Sequence, residues 1–274
     1  MIEKTVNGIT LSYDLPEQQT ADLIGQCCEK ACQLAKEIWG LAPPEDCRVY
    51  VMDSWSGFVF RSAPTSWRIL LGATILLWLP RVRRTWALSA AWTQKYGKRV
   101  AIGVKPPRLL DRSDRSTSSR FFVREADQTL TLRSVTCHEL VHACSAHLRL
   151  PMWLNEGIAM VTVDLFSGKP SVRRDTLEIV RRFLPKRSPP TYRELSRMGT
   201  DALGYHTVRG YWMVRYLEEI RPGLLREVFS SRRDPKWIDR HVAMELGIKP
   251  DSLWVEIDDV VAHHFERGQH QRSG

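Results

Sequence analysis

The chain has 274 residues, of which 43% are apolar and 26% charged, and a net charge of +9. Ten Trp and that apolar fraction argue for a substantial core, in one large domain or two closely packed lobes. The basic residues read as short groups (Arg81, Arg83, Arg84; Arg181, Arg182; Lys186, Arg187) interspersed with acids. With no Gly/aromatic RNA-binding signature beside them, no nucleic-acid partner is expected.

Six cysteines form neither a CxxC pair nor a zinc-ribbon spacing, so they read as packing residues in a reducing compartment. The first residues carry no signal-peptide hydrophobic region, and the expected localisation is cytoplasmic.

Taken in order, Thr5 to Tyr13 alternates around Asn7-Gly8 and predicts a strand or small hairpin. Ala21 to Trp39 is an amphipathic helix stopped by Gly40 and Pro43-Pro44. Cys47 to Met52 is a strand. Trp55 to Trp92 reads as helix in two pieces divided near Pro80. Within it, the apolar run Ile69 to Leu79 is too short to span a bilayer, so no transmembrane segment is expected. A buried helix is the expectation there, with membrane-surface contact across 69–84 as the alternative.

Arg99 to Val104 is a strand ended by Pro106-Pro107, Asp111 to Ser119 a polar mobile loop, and Phe121 to Arg124 a short strand. The segments 171–184, 191–197, 205–220, 222–232, 236–246 and 251–264 all read as helices. Strands early and helices late predict an α+β fold: residues 1–150 form a mixed α/β lobe whose small sheet packs on its last helix. Residues 151–267 form an all-helical lobe, and 268–274 a polar tail.

The chemistry concentrates at Thr136-Cys137-His138-Glu139-Leu140-Val141-His142. Histidines four apart stack on one helix face, so His138 and His142 can reach a single Zn²⁺ while Glu139 reaches a water beside it. Pro151 breaks that helix, and Met152 to Ala159 reads as the start of another. Thirteen residues separate His142 from Glu156, enough for the chain to turn back and aim the carboxylate at the same ion. Two His and one Glu with a fourth position open is the hydrolytic zinc arrangement.

His138-Glu139-Leu140-Val141-His142 followed by Trp153-Leu154-Asn155-Glu156-Gly157-Ile158-Ala159 resembles the gluzincin metallopeptidases. The short spacing and the Leu-Pro-x-Trp-Leu lead-in look more like the compact bacterial peptidase-MA-like proteins. The resemblance implies a zincin-like arrangement and peptide or protein substrates. It also implies Glu139 as general base and a Tyr or His of the helical lobe as oxyanion donor. Tyr205 is the first choice for that donor, with His206 and Tyr211 as alternates. Asn155, preceding the ligand as in the resembling enzymes, reads as a ligand-orienting or substrate contact, or as a helix cap. No Gly-x-Met-Glu-Asn segment is present, which points to endopeptidase rather than aminopeptidase activity.

Zinc peptidases tend to place a sheet edge upstream of the metal helix, and 121–124 is the expected edge, with 111–119 as its gate. The rival readings are a degenerate zincin scaffold with a binding or regulatory role, and a basic membrane-surface or nucleic-acid-binding protein with an accidental HExxH. Nothing in the sequence sets the oligomeric state.

Overall fold

Asn7 (φ 49°) and Gly8 (φ 80°) both take positive φ, the two-residue turn whose twist matches that of paired strands. They join β1 (Ile2–Val6) to β2 (Ile9–Tyr13) as the expected antiparallel hairpin. The structure, a computed structural model, describes residues 1–270 except 77–78, 80–85, 87–88, 115–117, 183–187, 199 and 232.

Helix α1 (Gln18–Trp39) ends at Gly40, whose left-handed conformation (φ 69°) returns its N–H to the Ala35 and Lys36 carbonyls. The chain then re-enters the sheet as β3 (Asp46–Val51), parallel to β2. Helices α2 (Trp55–Ser62) and α3 (Thr65–Ala73) follow, then a hairpin of β4 (Ala91–Tyr96) and β5 (Arg99–Val104). The five-stranded sheet runs β1-β2-β3-β5-β4, with β5 parallel to β3 and β4 antiparallel at the edge.

Two expectations fail in this region. The helical reading of Trp55 to Trp92 breaks at Ala63-Pro64, and Trp92 belongs to strand β4; Pro80 lies outside the described residues. The run from Ile69 is not buried: α3 has no buried residue.

The stretch 111–119 is likewise not a plain loop. Helix α4 (Pro107–Asp114) starts at the very proline read as a stop, since Pro lacks only the N–H that a first helical residue leaves unbonded. After α5 (Ser118–Phe121), Phe122 forms an isolated antiparallel bridge with Val172 rather than a strand. Residues 121–123 are thus tied to 171–173 of the helical half, through Val123 N–H to Ser171 O and Arg173 N–H to Phe121 O, and are not an edge of the sheet.

The metal-motif helix α6 (Gln128–Ser145) is capped by the Asp127 side chain, which accepts from Thr129 N at 2.7 Å. A turn containing Arg149 (φ 51°) leads to α7 (Met152–Ser167). The remaining helices are α8 (Thr176–Arg182), α9 (Tyr192–Met198), α10 (Thr200–Ile220), α11 (Leu224–Ser231), α12 (Pro235–Glu245) and α13 (Leu253–His270). Among the described residues after Pro151 every regular element is a helix, although the helix read from 171 starts at Thr176 and the one read from 205 starts at Thr200.

One sheet face is covered by α1 and α6 through Ile9, Leu11, Ile24, Ile102, Leu132 and Leu140. The other carries Tyr50, Met52 and Tyr96 beneath α2, whose Phe58 packs among them. All six cysteines are free thiols, five of them buried. Among the described residues no helix is long and apolar enough to cross a membrane.

Helices α7 and α10 cross with their backbones nearly touching. A Cβ on Gly157 would collide with the Gly210 carbonyl and sit 2.6 Å from Val214 Cγ2, and one on Gly210 would collide with the Trp153 carbonyl. The glycine of Asn155-Glu156-Gly157 therefore has a packing reason. Gly157→Ala is expected to cost about 3 kcal/mol through this clash, lowering the melting temperature by roughly 5–10 °C in a calorimetric scan.

Candidate metal centre

His138 and His142 lie one turn apart on α6, on the side facing α7, while Leu132, Leu140 and Ala143 turn toward α1 and the sheet. Glu156 lies in the second turn of α7 and is 8% exposed. Because α7 runs back beside α6, the carboxylate comes to both imidazoles. Among the described residues this is the one group of three His, Cys, Asp or Glu able to hold a metal ion, its ligand atoms all within 4.8 Å of one another.

His138 Nε2 lies 2.9 Å from His142 Nε2 and 3.5 Å from Glu156 Oε2, and His142 Nε2 lies 3.5 Å from Glu156 Oε1. Ligands at the usual ~2.0–2.1 Å from a tetrahedral zinc ion stand ~3.3 Å from one another. The three separations bracket that value, and the donor set is the hydrolytic one, so the residues fit zinc.

The electrostatics have the same focus. Burial alone would raise the Glu156 carboxyl, yet the adjacent imidazoles and a phenol hydrogen bond draw its pKa down to about 2. Burial disfavours a charge on His138, but the Glu156 carboxylate outweighs it and holds that histidine above its ordinary value. Burial, together with neighbouring His138, holds His142 below its own.

Glu139 is absent from the ligand trio. Its Oε2 accepts a 2.6 Å hydrogen bond from Thr93 Oγ1 on β4, so the sheet edge aims the carboxylate. Lys95, two residues on, donates to the Ala146 carbonyl just past α6 and ties the same strand to the other end of the motif.

Asn155 does not cap α7, whose N-cap is Pro151. Its Oδ1 accepts from Ser145 Oγ at 2.8 Å, and its Nδ2 donates to Tyr192 OH at 2.7 Å. Tyr192 OH in turn donates to Glu156 Oε1 at 2.7 Å. Trp153 is a core anchor, its indole N–H on Asp239.

The phenol beside the ligands is therefore Tyr192, which the sequence reading did not single out. Tyr205, its first choice, is buried in the helical core with its ring edge-on to His206, where Arg209 and Asp258 are the charges that reach it. Tyr211 donates to Asp164 Oδ2 at 2.6 Å and accepts from Arg215, a tie between α7 and α10.

A signal for Tyr192 was present. Thr191 and Glu194 form a reciprocal cap, Glu194 Oε2 accepting from Thr191 N at 2.7 Å and from its hydroxyl at 2.8 Å. That Thr-x-x-Glu after Pro189-Pro190 fixes a helix start with Tyr192 as its first residue. Burial of the hydroxyl and the Glu156 charge push the phenol well above its ordinary range, so it stays a donor.

No protein-family model, curated protein or solved structure matches the chain. The site's own geometry has to carry the functional reading.

Purified protein is expected to take up about one zinc ion per chain by elemental analysis. His138→Ala, His142→Ala and Glu156→Ala should each lose stoichiometric zinc; full retention in Glu156→Ala would refute the three-ligand site. Asn155→Ala should weaken zinc affinity by about 10–100-fold, the usual cost of removing a group that orients a ligand.

Proposed function

We propose that the chain is a zinc-dependent metallopeptidase of the gluzincin type, with a zincin-like arrangement of the sheet edge, α6 and α7. One observation carries the reading: two imidazoles and a carboxylate converge, while the acid adjacent to the first ligand is held apart from them and aimed by a separate hydrogen bond. A purely structural zinc site has no use for a second carboxylate held off the ligands.

His138, His142 and Glu156 would hold the ion. Bound zinc supplies a Lewis acid that polarises a carbonyl and acidifies a water molecule. Glu139 acts as general base, taking the proton of the attacking water at its carboxylate and returning it to the leaving amine. Thr93 keeps that carboxylate in one orientation, which shortens the search for the productive geometry. Tyr192, a residue 45% exposed with its hydroxyl on Glu156, would turn that hydroxyl onto the developing oxyanion. The exposure of the residue supports this role, because a partly exposed tyrosine can swing where the buried Tyr205 cannot.

Edge strand β4 is the natural place for an extended peptide to add by backbone hydrogen bonds, in place of 121–124. Thr93 then puts the bound chain beside Glu139. Such pairing asks little of the substrate's sequence, which suits cleavage within polypeptides.

The deciding experiment pairs zinc analysis with turnover on a defined peptide library. Glu139→Gln should keep its zinc and lose hydrolysis. Wild-type protein that binds zinc and cleaves nothing would make the chain a binding scaffold instead. Tyr192→Phe should lower kcat by about 10²–10³ with zinc retained and KM little changed. Tyr205→Phe should leave turnover intact and show a loss of about 1 kcal/mol in thermal unfolding. The reverse pattern would return the oxyanion role to Tyr205.

A further inference from the structure

Between Asp53 and Asp111 the chain carries ten Lys and Arg and no Asp or Glu. The whole +9 net charge is confined to this stretch, and the rest of the molecule is close to neutral. The stretch supplies no acids of its own, and among its described cations Arg61, Arg99 and Arg108 pair with carboxylates from outside it, Asp14, Asp46, and Glu17 with Asp53. The same stretch holds five of the ten Trp: Trp55, Trp67, Trp78, Trp86 and Trp92.

It also contains the apolar run from Ile69, and the structure brings the described part of that run to the surface. Trp67 is 43% exposed, Leu70 54%, Ile69 71% and Leu76 84%. Single exposed apolar residues are ordinary, but four within ten positions, three on α3 and Leu76 just beyond it, are a concentration of exposed apolar surface that calls for a partner.

The chemistry of the surroundings selects the partner. An apolar surface that docks another protein carries no requirement for a long flank with so large a surplus of cations over acids. An anionic bilayer does impose one: it attracts each Lys or Arg near its surface and repels each carboxylate. Trp at the margin of an apolar face is also what the headgroup region favours. The run is too short to cross, so it would lie along the interface.

The placement fits such a contact. Trp67 packs edge-on against Tyr96, ring centroids 5.7 Å apart, and Trp55 against Trp92 at 6.2 Å. These β4 residues face away from α6, which meets β4 through Thr93 on the opposite face. Docking through α3 therefore leaves the metal centre uncovered. We propose that Trp67, Ile69, Leu70 and Leu76 seat the protein on an anionic lipid surface.

The test is cosedimentation of the full chain with vesicles of phosphatidylcholine alone, or mixed with phosphatidylserine. Binding is expected only to the anionic vesicles and should weaken as salt is raised. The triple variant Ile69→Ser/Leu70→Ser/Leu76→Ser should lower partitioning at least tenfold, roughly what three exposed apolar side chains contribute. Its melting temperature and zinc content should be unchanged. Failure to bind either vesicle, equal binding to both, or undiminished binding by the triple variant would each overturn the proposal. So would a wild-type oligomer that the triple variant converts to monomer, since the face would then be a contact between copies. Zinc content is read separately, so loss of lipid binding and loss of the metallopeptidase reading are distinguishable.

Discussion

Two imidazoles and a carboxylate crowded into a protein interior are an electrostatic cost before they are a site. Glu156 is 8% exposed, and a carboxylate taken out of water is destabilising by several kcal/mol unless opposite charge or donors compensate it. Here the compensation comes from His138, held above its ordinary pKa by that carboxylate, and from the Tyr192 hydroxyl. A divalent ion would face the same three atoms at once and relieve the crowding more fully than a shared proton. The separations of 2.9, 3.5 and 3.5 Å are compatible with groups arranged about one ion.

Holding that arrangement falls to the α6–α7 hairpin and to what grips it. Helix α6 is pinned by α1 and the sheet on one side, so its imidazoles have a fixed background. Helix α7 is pressed onto α10 at Gly157 and Gly210, where the absence of both Cβ atoms permits backbone contact. Deeper in the helical half, Arg209 and Asp258, each 3% exposed, join α10 to α13 through two hydrogen bonds of 2.7 and 2.9 Å. Arg209 also lies over the Trp254 ring at 4.9 Å. A pair so buried is stable only if both partners stay in place, which makes the register of these helices a strict one.

Much of this was legible. The His138–His142 spacing and the return to Glu156 are consequences of helix periodicity and a Pro-terminated turn, both local in the chain. The helices after Pro151 were readable because Pro, Gly and polar breaks separate them. What was missed depended on long-range placement. Strand β4 was missed: its first two residues were taken into the preceding helical reading and the rest were assigned to nothing, although Gly97 supplies the left-handed turn (φ 62°) of a hairpin. Tyr205 was preferred because its helix resembled a family helix, but which face of a helix points at a site is fixed by packing partners that sequence does not display. Tyr192 reaches the ligands from a separate short helix, and only its cap gave a local sign. The Ile69 run was expected inside because it is apolar, and nothing in apolarity alone distinguishes burial in protein from burial in another phase.

Strand β4 draws these threads together through its pleat. Successive residues point to opposite faces, so Thr93 and Lys95 reach α6 and its flank while Trp92 and Tyr96 pack against Trp55 and Trp67. A one-residue slip in its pairing with β5 would exchange the two faces, removing the hydroxyl from Glu139 and burying Lys95 among tryptophans. The register, Ala91 opposite Val104 through Tyr96 opposite Arg99, is set by the tight Gly97 turn. The orientation of the Glu139 carboxylate and the seating of the exposed apolar helix thus rest on one hairpin. Any change that alters the turn at Gly97 acts on both, although the two lie on opposite faces of the sheet.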